Sequence, residues 1–406
     1  MTATTPAPTR ARTASGGGTG IAVTLCRDPE QFARLAPEWD ALFERCPTAT
    51  PFQTHAWLHS WWLSYGTPGR LRLVLVRRGG VLVGAAPLML AHRPFPVLVP
   101  LGGHISDFFD VLVDAGHVAE VTTALVRGLH RAMRGAVLDL REVRPGAAAE
   151  RLFAQWEGPR RHRRDSVCLD LPGVPIEELF RRMPATSAKR RRAKLRKLDA
   201  LGVEHRDVPA EKVPTAVATM IRLHGLQWEG RGVTPEHVRP RFAEHLTRAV
   251  TRMARTGHAR ICEYLVGGEV MASDMTLLSA DLAGGYLDGV HPELRAKTDI
   301  TSMLLRESAR HTAATGRSTF SMLRGAEPYK LRWRPVEVGN QRLLMARREL
   351  RPVLAAYAGL RTARAAAVRE ARERVPGLLE WRSRLDEARS GGVRAVLRGV
   401  RAGERN

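Results

Sequence analysis

Two apolar hairpins constrain this chain more than any other feature. Leu71–Arg77 and Val81–Leu90 are joined by Arg78-Gly79-Gly80, and Ala259–Val266 and Glu269–Leu278 by Gly267-Gly268. Paired glycines supply the positive φ angles that a tight hairpin turn requires. Each hairpin is followed by further strand and helix patterns. Antiparallel pairs mixed with helices read as an α+β architecture, and their recurrence reads as a duplicated fold.

The remaining periodicities fill in that frame. Ile21–Cys26 alternates as a strand, and Asp28 is placed to cap a helix through Phe32, Leu35, Trp39 and Phe43. Further helices are expected over 53–65, 118–133, 176–183, 187–201, 213–227, 236–255 and 299–314. Further strands are expected over 108–113, 136–140, 166–171, 203–208, 282–290, 318–323 and 336–347. The stretches His291–Asp299 and Arg324–Trp333 read as loops. The expected divisions are a tail at 1–20, a first domain at 21–165, a second at 166–350 and a basic helical extension at 351–406. The tail is polar and reads as flexible, not as a secretory signal. Four dispersed cysteines argue against a disulfide framework or a structural zinc site. No apolar run has the length of a membrane span. The expected location is cytoplasmic.

Charge is where composition matters. The chain of 406 residues has a formal net charge of +23, but the excess is uneven. Residues 21–158 carry 14 Lys+Arg against 13 Asp+Glu, whereas 159–202 carry 13 against 5 and 351–406 carry 13 against 6. Seven basic residues fall between Lys189 and Lys197, with Leu195, Leu198 and Leu201 on one apolar edge. Such a helix, like the C-terminal extension, suits an anionic partner, either tRNA or a membrane surface; a solvated helix at the domain junction is the alternative. Only six of the 64 basic residues are lysine. Two of them, Lys297 and Lys330, stand apart from the basic cluster.

The approach to the helix at 299 is Arg295-Ala296-Lys297-Thr298-Asp299-Ile300-Thr301. A helix start presents unpaired N–H groups and a positive dipole end to an anion. Arg295 and Lys297 add charge, and Thr298 and Thr301 add hydroxyl donors, so these four are candidates for binding a phosphorylated cofactor. An ordinary capped helix with solvated basic residues satisfies the same local sequence.

Four segments together resemble one family. Phe52-Gln53-Thr54-His55-Ala56-Trp57-Leu58 with Trp61-Trp62, the basic helix Ala188–Gly202, and His224 and Trp228 with Gly230-Arg231-Gly232 occur in order. They precede Leu323-Arg324-Gly325-Ala326-Glu327-Pro328-Tyr329-Lys330-Leu331-Arg332-Trp333. The order and the last segment resemble the CelD/BioF2-like branch of the GNAT acyltransferases, which is related to Fem-type aminoacyl transferases, over residues 21–348. The resemblance implies tandem GNAT-like domains, each a mixed, mostly antiparallel sheet flanked by helices, with the transferase site in the second. It implies an acyl-CoA donor such as acetyl-CoA, no metal, and an amine or hydroxyl acceptor such as a cell-envelope or polysaccharide precursor. Lys330, beside Tyr329, would stabilise the oxyanion or hold donor phosphate. Asp288 is the leading candidate for general base, ahead of His291 and Glu263. Trp57, Trp61 and Trp228 would line an acceptor groove, with Gln53 and Arg324 as polar contacts; the helical spacing of Trp57 and Trp61 equally suits a core. The sequence departs from the family where Lys297-Thr298-Asp299 replaces the usual glycines, placing an acid near the expected anion, and where Ser321 and Ala326 replace acidic residues. An aminoacyl-tRNA donor, or a non-catalytic basic binding protein with a degenerate cofactor site, are the alternatives.

Overall fold

The computed structural model describes residues 20–229 and 234–374. Strand β1 (Ile21–Cys26) leads to Asp28, whose carboxylate accepts the Glu30 N–H and starts helix α1 (Pro29–Arg34). The single helix expected here is two, because α2 (Ala36–Glu44) restarts after Leu35 with Pro37 in its first turn. A proline has no N–H to continue the preceding ladder and its ring crowds the turn before it. Helix α3 (His55–Tyr65) is capped by the Thr54 hydroxyl, which accepts the Trp57 N–H. Strands β2 (Leu71–Arg78) and β3 (Val81–His92) form the expected hairpin, with Gly79 and Gly80 at positive φ.

Strand β4 (Pro96–Pro100) was not expected, and most of the strand expected at 108–113 is irregular, leaving only β5 (Leu112–Val113). Helix α4 (Val118–Ala132), strand β6 (Val137–Val143) and helix α5 (Ala148–Ala154) follow. Strand β7 (Arg160–Pro172) crosses the expected domain boundary at 165/166 without a break. Next come α6 (Ile176–Arg181), α7 (Ala185–Ala200), β8 (Glu204–Asp207), α8 (Val213–Trp228) and α9 (Pro240–Arg255). The meander has the expected limits, as β9 (Ala259–Val266), β10 (Glu269–Leu278) and β11 (Leu282–Val290).

Two stretches expected as loops contain short helices, α10 (Pro292–Lys297) before α11 (Ile300–Ala314), and α12 (Pro328–Leu331) after β12 (Thr319–Arg324). Each short helix begins on a proline, whose fixed φ suits the first helical position. Strand β13 (Val336–Met345) and helix α13 (Arg351–Arg374) complete the described chain. The C-terminal apolar residues Leu378 to Val393, and the Gly230-Arg231-Gly232 segment, lie outside the described residues. No helix among those described is long and apolar enough to cross a membrane.

All thirteen strands belong to one mixed sheet, in the order β1-β2-β3-β4-β6-β13-β7-β12-β11-β10-β9-β8, with β5 paired to β3. The halves exchange strands: β13 lies antiparallel between β6 and β7, while β7 lies between β13 and β12. A buried ion pair fixes the exchange. Arg342 on β13 donates twice to Asp139 on β6 at 2.7 and 2.8 Å, and Tyr357 of α13 donates to the same carboxylate at 2.6 Å. This α+β architecture is the one the hairpins predicted, but its halves are interlocked.

Candidate active site

The site arises where a parallel pair fails to stay paired. Strands β11 and β12 are in register only over Leu282–Gly284 and Thr319–Ser321, although both continue further. They diverge into a V that holds a cavity of about 640 Å³. The corresponding parallel pair of the first half, β4 and β6, also meets at only two positions. There the chain after β4 closes the opening: Phe109 bridges to Val143, Phe108 and Ile105 are buried, and about 10 Å³ remains. Open space for a ligand therefore belongs to the second half.

Part of the cavity lining is cationic. Arg295, Lys297, Thr298 and Thr301 line it around the start of α11, and Lys194 and Lys197 reach it from α7. The first-turn N–H groups of α11 have no intrahelical acceptor, and Ile300 and Thr301 of that turn line the cavity. Asp299, the acid that seemed out of place in the sequence, is neutralised locally. Lys194 Nζ donates to its Oδ2 at 2.9 Å and Ser302 Oγ at 3.2 Å. Burial pushes this carboxyl up, but Lys194 and Ser302 outweigh it and hold it below its ordinary value. Lys197 and Lys297 have no acidic partner among the described residues, so a net positive charge faces the cavity.

Much of the lining is apolar, with Met275, Leu287, Leu305, Phe320 and Met322 on the walls. The β10–β11 ladder is bulged here: Met275 pairs with Leu287 but Thr276 pairs with Gly285, leaving Tyr286 as the extra residue. A bulge interrupts the ladder and frees backbone groups beside the cavity.

The lining also carries Asp288, Trp228, Tyr329 and Lys330. Asp288 is held at two points. Gln227 Nε2 donates to its Oδ2 at 3.0 Å, and His224 Nδ1 donates to its carbonyl at 2.6 Å. A carbonyl can only accept, so His224 carries its proton on Nδ1, and its Nε2 accepts from His237 Nδ1 at 3.1 Å. Next to Asp288, Gly289 lets α8 lie directly on β11; a Cβ there would sit 2.4 Å from the Met220 carbonyl oxygen. Tyr329 is 45% exposed, and burial of its hydroxyl, then the charges of Asp288 and Glu327, raise its pKa, so the phenol keeps its proton. Lys330 is buried, its Nζ donating to the Arg324 carbonyl and pairing with Glu327, both at 2.9 Å.

Eight residues singled out in the sequence thus converge here: Asp288, Tyr329, Lys330, Arg295, Lys297, Thr298, Thr301 and Trp228. Four others lie elsewhere. Gln53 is buried, accepting from Thr50 and donating to the Phe108 carbonyl. Trp57 is fully buried with its indole N–H on Ser106 Oγ at 2.8 Å, and Trp61 stacks on Tyr65. Arg324 is a strut between the halves, donating to Asp107 at 2.6 Å, Glu142 at 3.2 Å and the His104 carbonyl at 2.7 Å. His291 caps α10 and Glu263 pairs with Arg206.

The sequence reading missed Asp274. It lies on β10 directly opposite Asp288 and lines the cavity, only 6% exposed. Burial pushes its carboxyl up to about 7, against the pull of Arg260 and the Tyr264 hydrogen bond and with the help of Asp288. The signal was present as an acid inside the apolar run Val270–Leu278. Lys194 and Lys197 were read only as part of the basic helix, and Gln227 was not singled out. Among the described residues no cluster of three or more His, Cys, Asp or Glu is placed to hold a metal ion.

A sheet splayed between two parallel strands, a bulge on one and a helix start at the mouth define the GNAT class of transferase folds. Residues 185–331 match the family model described as the acetyltransferase (GNAT) domain. Solved structures extend the likeness in fold beyond that segment. FemX is 13% identical with a TM-score of 0.55, over 76% of this chain and 95% of its own. A conserved protein of unknown function from Bacteroides thetaiotaomicron is 9% identical with a TM-score of 0.56, over 80% and 100%. L-PGS from Bacillus licheniformis is 12% identical with a TM-score of 0.51, over 81% and 95%. No curated protein matches the chain in sequence.

Proposed function

We propose that the second half, residues 166–350, transfers an acyl group from a CoA-type thioester to an amine acceptor. The observation that carries this reading is the mixed lining of one cavity in the V between β11 and β12, where cations, the start of α11, an apolar wall, and carboxylates with aromatics meet. The donor's phosphates lie against Lys197, Lys297, Arg295, Thr298, Thr301 and the N–H groups of α11. Its acyl-bearing arm runs along the apolar wall, so the thioester reaches the bulge at Tyr286. An ammonium acceptor enters beside Trp228 and is held by Asp288. Backbone N–H groups at the bulge and the Lys330 ammonium are the donors available to the developing oxyanion. The Tyr329 phenol supplies a proton to the leaving sulfur. Gln53, Trp57, Trp61 and Arg324 support the site as parts of the scaffold. The acceptor class includes envelope and polysaccharide precursors bearing a free amine.

A specific observation favours a second donor. Lys189, Arg190 and Arg196 are exposed on α7, on the helix that brings Lys194 and Lys197 to the cavity. A polyanion too large for the cavity, such as aminoacyl-tRNA, would contact both sets. Release of free thiol from acetyl-CoA and longer acyl-CoAs, in the presence of a primary-amine panel, tests the first reading. Transfer from charged tRNA alone, weakening steeply with salt, would replace it with the second.

A further inference from the structure

We propose that Asp274 is the general base of this transfer, taking its proton from an acceptor amine held at Asp288. The inference rests on the acyl-transfer reading and moves to β10 a role that the sequence suggested for Asp288. Asp274 and Asp288 are directly opposite partners in the β10–β11 ladder, so their side chains project from the same face about 5 Å apart at Cβ. Both line the cavity, but they are not equivalent. Asp288 is partly exposed and takes a hydrogen bond from Gln227, which suits it to hold a charged acceptor. Asp274 lies deeper, with Oδ1 accepting from the buried Tyr264 hydroxyl at 2.9 Å. Two carboxylates this close do not both ionise easily, and the more buried one holds a proton more tightly. A base must take up a proton at the working pH, and that environment provides for it.

The groups facing Asp274 come from several elements. Strand β9 contributes Arg260, Cys262 and Tyr264, β8 contributes Asp207, and β11 contributes Asp288. The same cavity is lined by Lys194 and Lys197 of α7, Arg295 and Lys297 of α10, and Tyr329 and Lys330 of α12. Arg260 and Tyr264 favour the ionised form, while burial and Asp288 favour the neutral one. In the step itself, Asp274 removes one proton from the ammonium. The freed nitrogen lone pair forms the C–N bond as the C–S bond breaks. The sulfur leaves with that electron pair and takes a second N–H proton, directly or through Tyr329. Asp274 then returns its proton to water, and the products are amide and free thiol.

The test compares two kinds of acceptor. Ethanolamine, glucosamine and lysine are protonated at neutral pH and need a base, whereas hydroxylamine is already neutral there. With acetyl-CoA as donor and thiol release as readout, Asp274→Asn is expected to lower kcat/KM for the ammonium acceptors by about 100-fold or more. Turnover with hydroxylamine should change little, and alkaline pH should restore much of the lost rate. Tyr264→Phe removes the hydrogen bond that favours the ionised carboxyl, so the acidic limb of the kcat/KM profile should move to higher pH. Equal losses with both kinds of amine, or an acidic limb unmoved in Tyr264→Phe, would overturn the assignment while leaving acyl transfer intact. A wild-type enzyme silent with every acyl-CoA and amine overturns the transfer reading and the base with it.

Discussion

At the scale of single residues, two positions show how little room the fold leaves around the site. Gly289 is required because α8 lies on β11 beside Asp288. In Gly289→Ala the new methyl would meet the Met220 carbonyl oxygen at 2.4 Å and the His224 nitrogen at 2.5 Å. Overpacking of this kind costs about 1–3 kcal/mol, which urea unfolding would register; an unchanged midpoint would contradict the packing. His245 is the second case. It is fully buried, edge-on to Trp57 at 4.5 Å, and neither ring nitrogen has a hydrogen-bond partner. Burial lowers its pKa to about 3, with Arg248 adding to the effect. The unfolded histidine takes up a proton below about 6.5 and the folded one does not, so its stabilisation is present above that pH and fades as pH falls toward 3. His245→Phe should make the loss of Tm between about pH 7 and pH 5 shallower and should not destabilise the protein at neutral pH. A parallel decline in both proteins would refute it.

At the scale of elements, the sequence was legible where local and tertiary preferences agreed. The hairpins and the 259–290 meander were readable because glycine turns bracket strongly apolar strands, and the meander limits match residue for residue. Strand β4 was hidden by its flanking prolines, and 108–113 looked like a strand because its buried apolar residues help to plug a V, with only Leu112 and Val113 joining a ladder. Lysine scarcity drew attention to Lys297 and Lys330, and both line the cavity. It could not show that Lys194 would neutralise Asp299, since that contact joins residues 105 apart. Asp274 was missed because its meaning depends on the strand opposite. Trp57 and Trp61 pack a core to which both halves contribute, and helical spacing alone does not separate core from groove. The element exchange gives its own prediction. Asp139→Ala would leave Arg342 buried beside only the more distant Asp165, at 3.5 Å. Loss of one member of a buried pair costs about 3–5 kcal/mol, measurable by denaturant unfolding; a change below 1 kcal/mol, the range of an exposed pair, would show that the β6–β13 junction does not depend on it.

At the scale of the whole molecule, the two halves share one sheet but divide the labour. The first closes its own V and braces the second through Arg324 and the exchanged strands, while the second keeps the cavity. Because β7 and β13 each complete the other half's sheet, segments 21–165 and 166–350 expressed apart should fail to give dispersed amide NMR spectra. The intact chain should unfold in a single transition by circular dichroism and fluorescence alike. A half that folds alone would contradict the interlock. The central claim is that the cavity's cationic lining receives a CoA-type donor. Its most direct test is calorimetric titration of acetyl-CoA into the wild type and into Lys297→Ala and Lys197→Ala. The account predicts saturable one-to-one binding, weakened about tenfold or more in each variant, the equivalent of ~1.4 kcal/mol. Absence of binding to the wild type, or equal affinity in all three proteins, would contradict it.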